Sequence, residues 1–228
     1  MGVPPDLPLL LDRLAALAAA AARDGRRRVL GVAGPPGSGK TTLVESLVVA
    51  AGAEGRLAGR LAHVPMDGFH LTNATLDQLG RRDRKGAPDT FDTAAYAAVL
   101  AAVRASPRHL VRAPAFDHRL GEPEPGALTV PLGADVVVTE GNYLLLEDPR
   151  WLPVRALLDE VWFCGLDDDV RRARLVTRHV AVGRPHADAV AWVQRSDEAN
   201  AGLVASSGAD RADLVLVDGR VFGGSAGP

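Results

Sequence analysis

Val29-Leu30-Gly31-Val32-Ala33-Gly34-Pro35-Pro36-Gly37-Ser38-Gly39-Lys40-Thr41-Thr42-Leu43 is an apolar run that breaks into an octet of the form G-x-x-x-x-G-K-[ST] and resumes as a helical pattern to Ala50. Strand, glycine-rich turn and helix follow one another in the order a phosphate-binding loop needs. The glycines let the backbone turn tightly, so that amide N–H groups and the start of the helix face an anion. Gly34, Pro35, Pro36, Gly37, Ser38 and Gly39 would form the cradle, with Lys40 reaching the β and γ phosphates of a nucleotide. The Thr41 hydroxyl would be a ligand of Mg²⁺, and Thr42 continues the contact. The octet has both flanking elements, which argues against a chance glycine turn and for binding of a nucleoside triphosphate, taken here as ATP with Mg²⁺.

Outward from this stretch, valine-rich runs alternate with longer helical patterns, the signature of βαβ units and a parallel sheet covered on both faces. Strands are expected at 29–33, 61–66, 110–115, 135–139, 160–164 and 213–217. Helices are expected at about 7–23, 40–51, 92–104, 150–158, 168–181 and 186–203. The fold class is α/β, a three-layer phosphate-loop fold in a single domain, 1–228. Segments 72–89 and 121–133, the latter carrying Pro123, Pro125 and Pro131, read as loops and short helices outside the sheet, so that 72–133 forms the substrate side. Residues 168–186 read as a lid and 223–228 as a flexible tail.

The chain has 228 residues, 47% of them hydrophobic, enough for one sizeable core. A net charge of -2 gives no broad basic surface, so nucleic acid is not an expected partner. No stretch of about twenty uninterrupted apolar residues exists, so no membrane partner is expected either. The single cysteine, Cys164, lies in the apolar run Val161-Trp162-Phe163-Cys164 and reads as a buried strand residue, in keeping with a cytoplasmic protein. Trp151, Trp162 and Trp192 lie in apolar patterns and are expected to pack the core, while His63, His109 and His186 read as structural.

Ligands of an open parallel sheet gather at the carboxyl ends of its strands. Asp67, after the second strand in Met66-Asp67-Gly68-Phe69-His70, is expected to lie beside the loop and to act as the base that orients an attacking hydroxyl. Glu140 ends the apolar run Asp135-Val136-Val137-Val138-Thr139 as a Walker-B carboxylate would, toward the metal. Asp167, Asp168 and Asp169 suit the start of a helix, and Arg171, Arg174 and Arg178 share one of its faces. Arg178, and Arg184 after Gly183, are expected to close over the phosphates, with Arg178 the favoured catalytic group. Arg84 and Lys85 in the basic run 81–86 could hold an anionic or polyhydroxyl substrate. Phe69, His70, Asp117 and His118 are further substrate-side candidates.

The order of the phosphate loop, Met66-Asp67-Gly68-Phe69-His70, Arg84-Lys85-Gly86-Ala87-Pro88-Asp89-Thr90-Phe91-Asp92, Pro114-Ala115-Phe116-Asp117-His118 and Thr139-Glu140-Gly141-Asn142-Tyr143 resembles the uridine kinase, pantothenate kinase and phosphoribulokinase superfamily over nearly the whole chain. Within it the chain is most similar to the bacterial branch labelled nucleoside/nucleotide kinase family, pantothenate-kinase-related or fructose-transport-system kinase. The resemblance implies a five-stranded parallel core, ATP with Mg²⁺, and phosphorylation of a hydroxyl on a small metabolite: a nucleoside, a pantothenate-like compound or a sugar. Asp67 matches the catalytic aspartate of that group. Two motifs depart from uridine kinases: Phe116-Asp117 followed at once by His118-Arg119 replaces a Tyr-Asp pair, and Arg178-His179 replaces Arg-Asp. Related kinases often form homodimers, though no long apolar surface helix here demands one. The alternative function is a nucleotide-hydrolysing switch, against which stand the arginine lid and the lack of an Asn-Lys-x-Asp guanine-reading motif.

Overall fold

The computed structural model describes residues 4–105 and 108–224. Strand β1 (Arg28–Ala33) lies between β5 (Val136–Gly141) and β6 (Glu160–Gly165), with β2 (Leu61–His63) outside β5 and β7 (Leu214–Val217) outside β6. These five strands run parallel, and β8 (Arg220–Gly224) adds antiparallel to β7. All six residues of β5 and five of the six of β1 are buried, as expected of parallel strands covered on both faces. Side chains alternate between the faces. Val29, Ala33, Val137, Val161 and Phe163 enter one core with Tyr96 and Leu100 of α4 (Thr93–Arg104). Leu30, Val32, Val136, Val138 and Trp162 enter the other, against α1 (Leu7–Asp24) and α2 (Lys40–Ala53).

The two ends of the sheet differ in what they do with charge. Below the amino ends, the fully buried Arg27 donates to the carbonyls of Ala134, His109 and Pro131 at 3.2, 2.9 and 3.0 Å, and Asp135 pairs with Arg60 and with Arg108 at 2.7 Å. That end is spent on structure. At the carboxyl ends acids and bases are left near one another with few fixed partners.

Four sequence expectations are corrected. The strand expected at 110–115 is β3 (Val111–Asp117), and it stands outside the parallel sheet. It pairs antiparallel with β4 (Glu122–Val130), which occupies a segment expected to be loop. Proline is tolerated there because a two-stranded ribbon has only edge strands, and the register shift between Ala113 and Ala115 takes up Pro114. The helix expected at 150–158 is the single turn α5 (Leu152–Arg155). In the expected tail, Gly223 and Gly224 belong to β8, while 225–228 lie outside the described residues. Among the described residues, no helix is long and apolar enough to cross a membrane.

Candidate active site

The loop between β1 and α2 owes its shape to glycines that nothing else could replace. A Cβ on Gly34, whose φ is 148°, would meet the Cys164 carbonyl oxygen at 2.3 Å. One on Gly37, at φ 80°, would lie 2.8 Å from Leu175 Cγ and 3.1 Å from the Arg171 carbonyl oxygen. The loop is thus pressed between the end of β6 and helix α6 (Asp168–Ala181), which Asp167 caps by accepting from the Asp169 and Val170 amides. Arg171, 1% exposed, holds this packing: it pairs with Asp168 at 3.0 Å and with Glu198 at the start of α8 (Glu198–Ser206), and its guanidinium points to the Pro36 carbonyl at 3.5 Å.

Lys40 is buried and donates to the carbonyls of Gly34 and Pro35 at 2.9 and 3.0 Å and to Asn142 Oδ1 at 2.8 Å. Burial lowers its pKa, while the nearby Glu140 and Asp67 carboxylates oppose that shift. Thr41 Oγ1 donates to Glu140 Oε1 at 3.2 Å. Burial, reinforced by the nearby Asp67 charge, pushes the Glu140 carboxyl up to about 7. Lys40, the Thr41 bond and Arg178 pull the other way. Loop lysine, loop threonine, both acids and the α6 arginine therefore share one electrostatic neighbourhood.

Asp67 and Glu140 are each followed by glycine, and both glycines are sites of close approach. A Cβ on Gly68 would lie 2.3 Å from the Pro114 carbonyl oxygen, and one on Gly141 would lie 2.4 Å from Met66 Sδ. The 3₁₀ turn Met66–Phe69 is thereby wedged between β3 and the end of β5, and the Asp67 side chain stays 42% exposed, free to meet a ligand. Asp67 follows β2, which is not hydrogen-bonded to β1, yet its charge is felt at Lys40 of the loop. Strand β5 intervenes between β1 and β2, and Asp67 reaches the site across Glu140. His70 Nδ1 donates to the Asp67 carbonyl at 2.8 Å and its ring rests on Phe91 and Phe116, with burial lowering its pKa.

The remaining candidates are placed as follows. Arg178 is exposed, and its charge is felt at Lys40 and Glu140. Arg184 stacks on Trp192 with its guanidinium 4.3 Å from the ring centroid, and Arg195 approaches the same indole at 5.5 Å. Trp151 and Trp162 are core residues, but Trp192 is only half-buried in this stack, which corrects its expected core role. Arg84 pairs with Asp89 at 2.7 Å. Lys85 Nζ donates to Asn73 Oδ1 and the Gly121 carbonyl, both at 2.6 Å, and lies 5.5 Å from the Phe116 centroid. Asp117 Oδ1 accepts from the Arg119 and Leu120 amides at 2.8 and 3.0 Å, an arrangement that closes the β3–β4 turn. His118 packs edge-on against Phe116 and is exposed. Phe69 is buried and stacks on Tyr96.

Sequence reasoning gave no role to Asn142, which holds the Lys40 ammonium, or to Asn200, whose side chain donates to the Gly86 carbonyl at 3.4 Å beside a second donor, the Tyr143 hydroxyl. Asn142 sits two residues after Glu140, and that spacing was the one available signal. A cavity of about 240 Å³ opens beside the loop, floored by Ser38, Gly39, Thr42 and Leu43 and bounded by Gly165 and Arg174. A more open recess of about 310 Å³ lies between the 66–69 turn and the hairpin, against Phe69, His70 and Arg112.

The donor set fits a nucleotide and Mg²⁺. Ser38 Oγ is buried in the loop with no hydrogen-bond partner, as expected of a group whose partner is a ligand. Thr41 and Glu140 offer the hard oxygen atoms that Mg²⁺ prefers, few in number, as suits an ion that keeps water and phosphate ligands.

A phosphate loop of this geometry, with acids at the ends of two neighbouring strands and an arginine helix laid against it, defines a P-loop kinase. Residues 29–216 match the Phosphoribulokinase / Uridine kinase family, and the chain belongs to it. The protein YggC of Escherichia coli K12 is 36% identical over 195 residues, which are 84% of this chain and 77% of that one. A Schizosaccharomyces pombe protein named "Putative uridine kinase C227.14" is 31% identical, with 77% of each chain covered. Among solved structures, the "putative fructose transport system kinase" of Silicibacter sp. TM1040 superposes with a TM-score of 0.76 at 36% identity, covering 89% of this chain and 98% of that one. Membership makes the chain a phosphotransferase of the kinase class, of a family that implies ATP as donor and a small molecule as acceptor.

Proposed function

We propose that the protein transfers the γ-phosphate of Mg-ATP to a hydroxyl of a small metabolite. The observation that carries this reading is the convergence of Lys40, Thr41, Glu140, Asp67 and Arg178 at the carboxyl ends of β1, β5 and β2. A switch needs the loop and the metal acid. A partly exposed second carboxylate beside them is what an acceptor hydroxyl requires.

In this reading the loop amides, Ser38 Oγ and Lys40 bind the triphosphate, which requires Lys40 to leave its bonds to Gly34, Pro35 and Asn142. Thr41 and Glu140 would hold Mg²⁺, and the ion when bound offsets phosphate charge. The Asp67 carboxylate accepts a hydrogen bond from the acceptor hydroxyl, aligns its oxygen on the γ-phosphorus and takes its proton as the new O–P bond forms and ADP leaves. Lys40 and Arg178 offset the negative charge spread over the transferring group. The cavity beside Ser38 and Arg174 takes the donor base, and the pocket walls of the 72–133 segment take the acceptor.

The test is ADP release from Mg-ATP across nucleosides, pantothenate, sugars, glycerate and sugar phosphates, with Asp67→Asn as control. One acceptor raising turnover well above background, through a rate that Asp67→Asn abolishes, supports the reading. Equal hydrolysis in every well would move the assignment to a nucleotide-hydrolysing switch.

A further inference from the structure

The cavity beside the loop is closed on its outer side by chain that lies beyond the 29–216 stretch shared with the family. Asp218 and Gly219, at φ 51° and 76°, make the two-residue turn between β7 and β8, a backbone that Asp-Gly adopts readily. The Asp218 amide donates to the Gly165 carbonyl at 3.2 Å, which pins this turn at the mouth of the cavity. Pro4 and Pro5 come back over it: a Cβ on Gly219 would lie 3.4 Å from Pro5 Cδ and 3.8 Å from Pro4 Cα. Both prolines and both turn residues line the cavity.

Asp6 explains why the prolines stay there. It occupies the N-cap of α1, where a carboxylate ordinarily accepts from the first helical turn, yet it makes no such bond. Its Oδ2 instead accepts from the Val221 amide of β8 at 2.7 Å. A local cap has been given up for a tie across 215 residues of sequence. At about 240 Å³ the space lies below the roughly 300–1,000 Å³ that drug-sized ligands fill, which suits one base and not a whole nucleotide. Two prolines give it an apolar wall that loses little freedom on binding, and Arg174 supplies a guanidinium able to lie over an aromatic face. On the loop side, Ser38, Gly39 and Thr42 connect the phosphate cradle to the cavity floor.

We propose that the Pro4–Pro5 strap is the outer wall of the donor-base site and that Asp6 is the positioning residue that holds it there. The inference rests on the nucleotide reading of the loop. It assigns recognition of the donor's heteroaromatic base in this chain to segments outside the family core, while the phosphates are held within that core.

Calorimetric titration of the full chain with Mg-ATP and, separately, with inorganic tripolyphosphate, which has no base, tests it. Asp6→Ala is expected to weaken ATP about three- to tenfold, as for loss of one positioning hydrogen bond, and to leave tripolyphosphate unchanged. Asp6→Asn keeps an acceptor oxygen and should recover ATP affinity. A Pro4→Gly, Pro5→Gly double variant, which keeps the Asp6 tie and spares α1, should repeat the pattern. Unchanged ATP affinity in both Asp6→Ala and the proline variant overturns the inference, as does an equal loss for both ligands. Wild-type protein that binds ATP no better than tripolyphosphate removes the base site and leaves the phosphate loop standing. Wild-type protein that binds neither removes the nucleotide reading and the strap with it.

Discussion

The phosphate side and the acceptor side of this molecule are built by different means. On the phosphate side, backbone does the holding: the loop runs from the buried strand β1 into α2, and its glycines fit against main-chain and core atoms at Cys164, Arg171 and Leu175. On the acceptor side, side chains do it. Lys85 ties α3 (Asn73–Gln78) to the hairpin turn through Asn73 and Gly121, the Glu122 carboxylate accepts from the Asn73 amide at 3.0 Å, and Tyr143 and Asn200 both donate to Gly86. Phosphate is common to every donor nucleotide, so a fixed backbone cradle suits it. An acceptor varies from one kinase to another, and side chains over a detached two-stranded hairpin can be exchanged without disturbing the sheet.

Asp67 is where the two halves meet, and its loss should have the largest effect. Asp67→Asn is expected to lower the transfer rate by about 10²- to 10⁴-fold, the range for a positioned general base, while ATP affinity stays near wild type. Single-turnover transfer paired with a nucleotide titration reads both. Transfer at the wild-type rate would take Asp67 out of the chemistry and leave the comparison without a seam.

Within the phosphate side the sharpest break is at Arg171. Arg171→Leu removes the buried one of the two arginines that hold Glu198 and is expected to cost about 1.5–3 kcal/mol in urea denaturation. Arg172 pairs with the same Glu198 at 2.9 Å but is 43% exposed, so Arg172→Leu should cost less than about 1 kcal/mol. Equal effects at the two positions would mean that α6 is held by its apolar face alone.

What was legible in the sequence divides along the same line. The loop octet and the apolar runs β1, β5 and β6 are dictated locally, by glycine spacing and by valines that only a doubly covered strand would concentrate, and each stands within two residues of its expected bounds. Strand β4 was hidden because Pro123 and Pro125 signal a loop to anyone who assumes a sheet interior, and only the pairing with β3 shows that no interior is involved. Strand β8 was hidden in the same way, since glycines near a chain end read as a tail until Asp6 is seen to bond Val221. Arg171 was legible as one arginine of a helical face but not as the buried one, because burial follows from the packing of α6 on Gly37. The roles of Asn142 and Asn200 depend on contacts across about 100 residues and leave no local trace.

Strand β2 leads into the turn that bears the acceptor-side acid, and its own His63 offers a test by pH. Burial lowers the His63 pKa to about 4, and its Nε2 is buried with no hydrogen-bond partner. A base whose folded pKa lies below its ordinary 6.5 stabilises the fold above that value and loses the contribution as pH falls toward 4. The loss at the acid end amounts to as much as about 3 kcal/mol. The urea midpoint of the wild type should therefore fall between pH 7 and 4.5, and His63→Leu should flatten that part of the curve. A slope that survives in His63→Leu would place the titrating group elsewhere.

Lys85 gives the finest test of the division. Burial lowers its pKa, and its ammonium is engaged by Asn73, Gly121 and the Phe116 ring, so it acts first as a strut between α3 and the hairpin. Lys85→Met keeps most of the apolar stem and removes the two hydrogen bonds, a loss of about 1–2 kcal/mol in urea denaturation. If the acceptor pocket is shaped by that strut, the KM for the acceptor should rise severalfold while the KM for ATP holds, because no bond of Lys85 reaches the phosphate loop. A parallel rise in both constants would show that the hairpin and the loop move as one body. The acceptor side would then not be the separately adjustable half that its side-chain construction implies.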